Sequence, residues 1–147
     1  MKTLINEQMK RFNLLSSEIE AAYHEAALKL GLSDSTMTIL YTIYCQEGEC
    51  LLNDIVLMSG TSKQTINSAL RKLETQDIIY LKSFEGRKKK VFLTNKGKQL
   101  ANNTISQLIT IENEIFDTWS DKERTLYVEL TQRYLTAFKQ KIKKLLI

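Results

Sequence analysis

Apolar residues recur along the start of the chain at Ile5, Met9, Phe12, Ile19, Ala22, Ala26 and Leu30, close to the 3.6-residue period of a helix with one buried stripe. A long first helix is predicted over Leu4 to Leu30, with Gly31 as its C-cap. Ser33 caps a second helix through Tyr44, whose inward positions are Met37, Leu40, Tyr41 and Tyr44, and Gln46-Glu47-Gly48 ends it. Leu52, Ile55 and Val56 place a short third helix over Leu51 to Ser59. Ser59-Gly60-Thr61 then breaks the pattern, and Thr61 or Ser62 caps a fourth helix. Two short helices joined by a tight glycine-containing turn form the helix-turn-helix pattern.

The fourth helix keeps Ile66, Ala69, Leu70 and Leu73 on one stripe, leaving Lys63, Gln64, Asn67, Ser68 and Arg71 on the opposite face. That face is either a solvated surface or a reading surface. Amides and guanidinium groups are the side chains that form paired hydrogen bonds with adenine and guanine edges in a major groove. The next segment favours reading. Ile79-Tyr80-Leu81 and Val91-Phe92-Leu93 alternate like strands around a loop with Gly86 at its tip, beside Arg87-Lys88-Lys89-Lys90. Four consecutive cations on a hairpin tip repel one another and are relieved by anions. Helix and hairpin together predict a device that binds double-stranded DNA.

Beyond Thr94, apolar positions at Leu100, Ile105, Leu108, Ile111, Ile115 and Trp119 mark a long helix. Ser120-Asp121-Lys122-Glu123 is a capping box that opens a last helix carrying Leu126, Leu130, Leu135, Phe138, Ile142 and Leu145. A helix-turn-helix with a wing needs about half of this chain, so the stripes of the terminal helices require a partner. The simplest solution is a two-fold homodimer matched to a palindromic DNA site, and the alternative is a monomeric helical cap.

Charge sharpens this picture. Residues 60–98 hold ten basic and three acidic side chains, a local +7; because all 147 residues carry +4, the remainder carries −3. A polyanion responds to the local patch. With 43% hydrophobic residues the length suits one domain with a real core. No run of about eighteen apolar residues predicts a membrane span, and a cytoplasmic location is expected. Cys45 and Cys50 make neither a disulfide framework nor a C-x-x-C motif; they are two reduced thiols, or one of them senses oxidants. His24 is the single histidine, so zinc binding and acid–base catalysis are disfavoured. It is read as a surface or dimer-interface residue. No cofactor, metal site or catalytic constellation is expected.

The run Glu85-Gly86-Arg87-Lys88-Lys89-Lys90-Val91-Phe92-Leu93-Thr94-Asn95-Lys96-Gly97 resembles the wing of the MarR family (multiple antibiotic resistance regulators), whose pattern is acid, x, Arg, x, basic, x, Val, x, Leu-Thr-x-x-Gly. Ser62-Lys63-Gln64-Thr65-Ile66 and Leu73-Glu74 also match the reading helix, and the order of elements agrees over nearly the whole chain. The resemblance implies a fold that is mainly α with a small β-hairpin wing, a winged helix-turn-helix at about 33–97 and dimerisation helices at about 1–30 and 98–147. It implies a transcriptional repressor that works as a homodimer. By position, Ser62, Lys63, Gln64, Thr65, Asn67, Ser68 and Arg71 face the major groove, with Lys63 chiefly on phosphate. Arg87 enters the minor groove, Lys88, Lys89 and Lys90 meet phosphates, and Glu85 stands where the family's usual Asp orients the arginine through a salt bridge. Asp77 departs from the family's usual Gly after the reading helix.

The resemblance further implies that a small-molecule effector, or cysteine oxidation, lowers DNA affinity. Tyr23, Tyr41, Tyr44 and Trp119 are candidates to line an effector pocket, although aromatics at helical spacing also serve as core. The competing reading is a non-enzymatic interaction module whose basic wing docks an acidic partner. Sequence-selective DNA binding separates the two.

Overall fold

Residues 2–146 are described by a computed structural model. The elements run α1 (Glu7–Lys29), α2 (Asp34–Cys45), β1 (Glu49–Leu51), α3 (Leu52–Ser59), α4 (Lys63–Thr75), β2 (Ile79–Phe84), β3 (Lys88–Leu93), α5 (Asn95–Asp117) and α6 (Asp121–Ile142). Two compact units divide between Leu108 and Ile109, within the length of α5.

Helix ends in the first unit follow local chemistry. Asn6, Ser33 and Ser62 cap α1, α2 and α4 through side-chain oxygens that accept from Met9, Thr36 and Thr65 N–H. The first helix therefore starts at Glu7, three residues later than its apolar pattern begins, with Asn6 as the cap. Three C-termini close with the same double bond, in which the two residues after the cap donate back to the last turn. These are Gly31 and Leu32 to Leu28 and Ala27, Glu47 and Gly48 to Tyr44 and Ile43, and Asp77 and Ile78 to Glu74 and Leu73. The closure needs a left-handed residue: Gly31 supplies it at φ 73°, but Glu47 and Asp77 are forced there at φ 61° and 60°. Asp77 thus reproduces the turn that glycine would make.

The core of this unit gathers Ile39, Leu40 and Ile43 of α2, Ile55 of α3, Ile66, Leu70 and Leu73 of α4, Ile79 and Val91 of the sheet, and Ala101 and Ile105 of α5. The hairpin pairs Ile79 with Leu93 through to Phe84 with Lys88. A third strand, β1, adds to the other edge of β3, pairing Glu49 with Phe92 and Leu51 with Lys90, so the sheet order is β1-β3-β2. At three residues β1 is too short for its alternation to be read from sequence. It pairs because α2 and α3 deliver it to the edge of β3.

One close approach fixes the base of the wing. A Cβ placed on Gly97 would lie 2.0 Å from the Ile78 carbonyl oxygen and 3.2 Å from Leu93 Cδ2, so α5 packs against the backbone just ahead of β2 only with glycine there. Beside it, the Thr94 hydroxyl accepts from Gly97 N–H at 2.9 Å and donates to the Asp77 carbonyl at 2.6 Å. Lys96 Nζ donates to the Gln76 carbonyl at 2.9 Å.

The second unit holds the end of α5 and α6. The capping box forms as read from sequence: Ser120 Oγ accepts from Glu123 N–H, and Ser120 N–H donates to Glu123 Oε1. These bonds lower the Glu123 pKa. Arg124 donates to the Phe116 and Trp119 carbonyls at 2.8 and 2.6 Å and pairs with Asp121. Trp119 stacks on Phe116 at 5.0 Å and meets Tyr127 edge-on. No residue of α6 is buried, and Leu126, Tyr127, Val128, Leu130, Tyr134, Leu135, Phe138 and Ile142 are all exposed. In the first unit, α1 likewise buries only Ala27 and exposes Phe12, Leu14, Leu15 and Ile19.

Two stability changes are expected. Gly97→Ala should cost about 3 kcal/mol, because backbone rather than a movable side chain occupies the space; an unchanged urea midpoint would contradict the packing. Glu47→Gly, at an exposed left-handed position, should instead stabilise by about 1 kcal/mol and raise the same midpoint.

Candidate nucleic-acid interface

The reading face of α4 is set by its core stripe. Ile66, Leu70 and Leu73 are buried, which turns Lys63, Gln64, Ser68 and Arg71 to solvent and leaves Asn67 half-buried. Ser62 and Thr65 have local partners: their hydroxyls lie 2.9 Å apart, and Ser62 Oγ also accepts from Thr65 N–H. Both hydroxyls are held by the cap that starts the helix.

The wing tip is the three-residue loop Glu85-Gly86-Arg87 between paired Phe84 and Lys88. Glu85 and Gly86 adopt left-handed backbones at φ 45° and 77°. Among the described residues neither Glu85 nor Arg87 forms an ion pair, so the structure lacks the orienting salt bridge that the family pattern implies. Both side chains instead line one groove with Lys88, Lys89, Asn53 at the start of α3, and Lys63 and Asn67 of α4. Four cations from helix and wing thus converge on one concave surface.

Strand alternation separates the wing lysines. Lys88, Lys90 and Phe92 share the outer face with Tyr80, Lys82 and Phe84. There Tyr80 and Phe92 stack at 5.0 Å, and Lys82 Nζ lies 5.6 Å from the Tyr80 ring centre. Lys90 is 3.4 Å from Glu49 and 4.7 Å from the Phe84 ring centre. Its charge serves to tie β1 and the hairpin together, leaving Arg87, Lys88 and Lys89 as the exposed cations of the tip. Lys96, one of the ten basic residues of the central segment, is spent on the C-terminus of α4. Asn53 was not singled out from sequence; its place at the start of a short helix gives no pattern that would have done so.

A second cavity lies beside α1, lined among others by Tyr23, His24, Asp34, Met37, Thr38, Ser59 and Ile66. Within it His24 Nδ1 sits 2.8 Å from the Asp34 carboxylate. Of the four aromatics suggested for an effector pocket, Tyr23 is on this cavity. Tyr41 and Tyr44 lie half-buried along α2, and Trp119 belongs to the aromatic cluster of the second unit. Cys45 is exposed, whereas Cys50 is buried in β1. Burial, with the Asp54 carboxylate as a smaller contribution, pushes the Cys50 thiol up to about 12. Among the described residues no cluster of His, Cys, Asp and Glu suits a metal ion, and no helix is long and apolar enough to cross a membrane.

No family model and no curated protein matches this chain. Solved structures do. The regulator NMB1585 of Neisseria meningitidis, a MarR family member, is similar over 95% of this chain and 99% of its own, with 21% identity and a TM-score of 0.84. MepR of S. aureus in its complex with DNA is similar over 92% and 99%, with 20% identity and a TM-score of 0.65. BpsR of Bordetella bronchiseptica, whose DNA binding is regulated by 6-hydroxynicotinic acid, is similar over 82% and 97%, with 18% identity and a TM-score of 0.55. A capped polar helix, a three-residue wing tip beside a run of lysines and long helices on either side therefore make up here the winged helix-turn-helix fold of the MarR family transcriptional regulators.

Proposed function

We propose that this chain is a sequence-reading DNA-binding transcriptional repressor. The observation that carries the proposal is the convergence of Lys63 and Asn67 of α4 with Arg87, Lys88 and Lys89 of the wing on one groove. A helix of this polarity fits a major groove, and a narrow hairpin tip carrying an arginine fits the adjoining minor groove. Gln64, Asn67, Ser68 and Arg71 supply base-edge contacts. Lys63, Lys88 and Lys89 meet phosphates, which position the protein without specifying sequence. Ser62 and Thr65 hold the start of α4 in place, Glu85 borders the groove, and Lys90 braces the wing from behind. That a protein of the same fold has been solved on DNA supports this use of the surface.

Residues 33–97 form the reading part in this proposal, and residues 1–30 and 98–147 form a homodimer through the apolar faces that α1 and α6 leave exposed. Exposed apolar helix faces mark interaction sites, and two-fold symmetry matches a palindromic operator. The cavity beside α1 is the place for a small-molecule effector, since Ile66 of the reading helix and Tyr23 of α1 share its wall. An effector acts there by its differential affinity for dimers whose reading helices are differently spaced. Of the two thiols, oxidative control falls to Cys45, because a thiol with the pKa of Cys50 supplies almost no thiolate.

The Arg87→Ala variant tests the wing. Fluorescence anisotropy with the DNA flanking the protein's own coding region should show binding weakened by about ten- to a hundredfold at fixed salt, the ~1–3 kcal/mol of a base-contacting arginine. The urea midpoint should be unchanged, as Arg87 is exposed. Equal affinity for native and variant protein would remove the wing from the interface. For the thiols, iodoacetamide at mildly alkaline pH should label Cys45 in the folded protein and reach Cys50 only in urea; labelling of both in the fold would contradict the burial of Cys50.

A further inference from the structure

The groove between α4 and the wing occupies one flank of the reading helix, and a second groove runs along the other flank. It is walled by the first turn of α2, with Ser33, Ser35 and Thr36, and by the α4 side chains Arg71, Lys72 and Thr75 among others. Among the described residues no carboxylate lines it. Asp34, between those serines in sequence, instead lines the cavity beside α1, where His24 holds its carboxylate. Arg71 and Lys72 are both exposed. Thr36 Oγ1 accepts from Ser33 Oγ at 2.9 Å, which leaves the Thr36 proton free to donate. Thr75 has spent its own proton on the Arg71 carbonyl.

An α-helix with its side chains is about 10–12 Å across, and the major groove of DNA is about 12 Å wide. A helix seated there meets a sugar-phosphate backbone along each flank. We infer that the Arg71–Lys72–Thr36 groove holds phosphates of the second strand, opposite the strand held by Lys63, Lys88 and Lys89. This rests on the DNA-reading proposal and adds an assignment of its own: Arg71 moves from the base-reading set to the phosphate-holding set, joined by Lys72 and the hydroxyls of α2. Cations along both grooves clamp α4, while Gln64, which lines neither groove, and the groove-lining Asn67 and Ser68 are left to read bases.

The test uses two labelled duplexes, the DNA flanking the coding region and a scrambled duplex of equal length, titrated between about 50 and 200 mM salt. The Arg71→Gln/Lys72→Gln double variant keeps good helix formers at exposed positions, and circular dichroism checks its fold. It should lower the slope of log K against log salt by about 2 in magnitude, at ~0.9 per phosphate contact, and weaken both duplexes by a similar factor of at least about ten. Thr36→Ala should weaken both duplexes a few-fold. An unchanged slope with a native protein that binds DNA would overturn the second phosphate track and leave the DNA-reading proposal standing. Loss confined to the flanking-DNA duplex would return Arg71 to a base edge and likewise overturn it. Failure of the native protein to bind either duplex would overturn both.

Discussion

The reading surface depends on the contact between Gly97 and the Ile78 carbonyl. Ile78 lies between the C-terminus of α4 and the first residue of β2, so the backbone that α5 presses against is the joint between reading helix and wing. The Thr94 hydroxyl and the Lys96 ammonium bind the carbonyls of Asp77 and Gln76 on the same joint. Thus the Leu-Thr-x-x-Gly run at the end of the wing pattern is a set of constraints on geometry. It holds the angle between α4 and the hairpin, so a small error at this joint would be magnified at the wing tip.

Around that joint the charges divide into two kinds. Lys90 and Lys96 are paired with protein groups and contribute to the fold. Arg87, Lys88, Lys89, Lys63, Arg71 and Lys72 project from the surface on both flanks of α4. Because surface ion pairs contribute little stability, cations left unpaired on one face are better explained by an anionic partner than by folding. The left-handed backbone at Glu85 belongs to the same economy: a tight three-residue tip keeps Arg87 at the edge of the wing, and strain of this kind collects at positions where function sets the geometry.

The chemistry of the helix arms differs from that of the reading unit. α4 buries its apolar stripe within its own unit, whereas α6 buries none of its residues. An amphipathic helix gains most of its stability from packing that stripe, so α6 with its aromatic and aliphatic face is built to be completed by another surface.

What depends on near neighbours along the chain was legible in the residues alone. The helices, the Ser33 and Ser62 caps, the capping box at Ser120, the hairpin around Gly86 and the polar face of α4 all follow from side-chain periodicity and turn chemistry within a few residues. Tertiary structure decided what depends on residues distant in sequence. It added β1 to the sheet and buried Cys50 within it, matched Lys90 with Glu49, and left Glu85 unpaired with Arg87. It put Tyr23 but not Trp119 on the cavity beside α1. It also set the first turn of α2 along α4 to make the second groove. These outcomes rest on which backbone reaches which edge and which charge finds a partner first, and no local pattern encodes that competition.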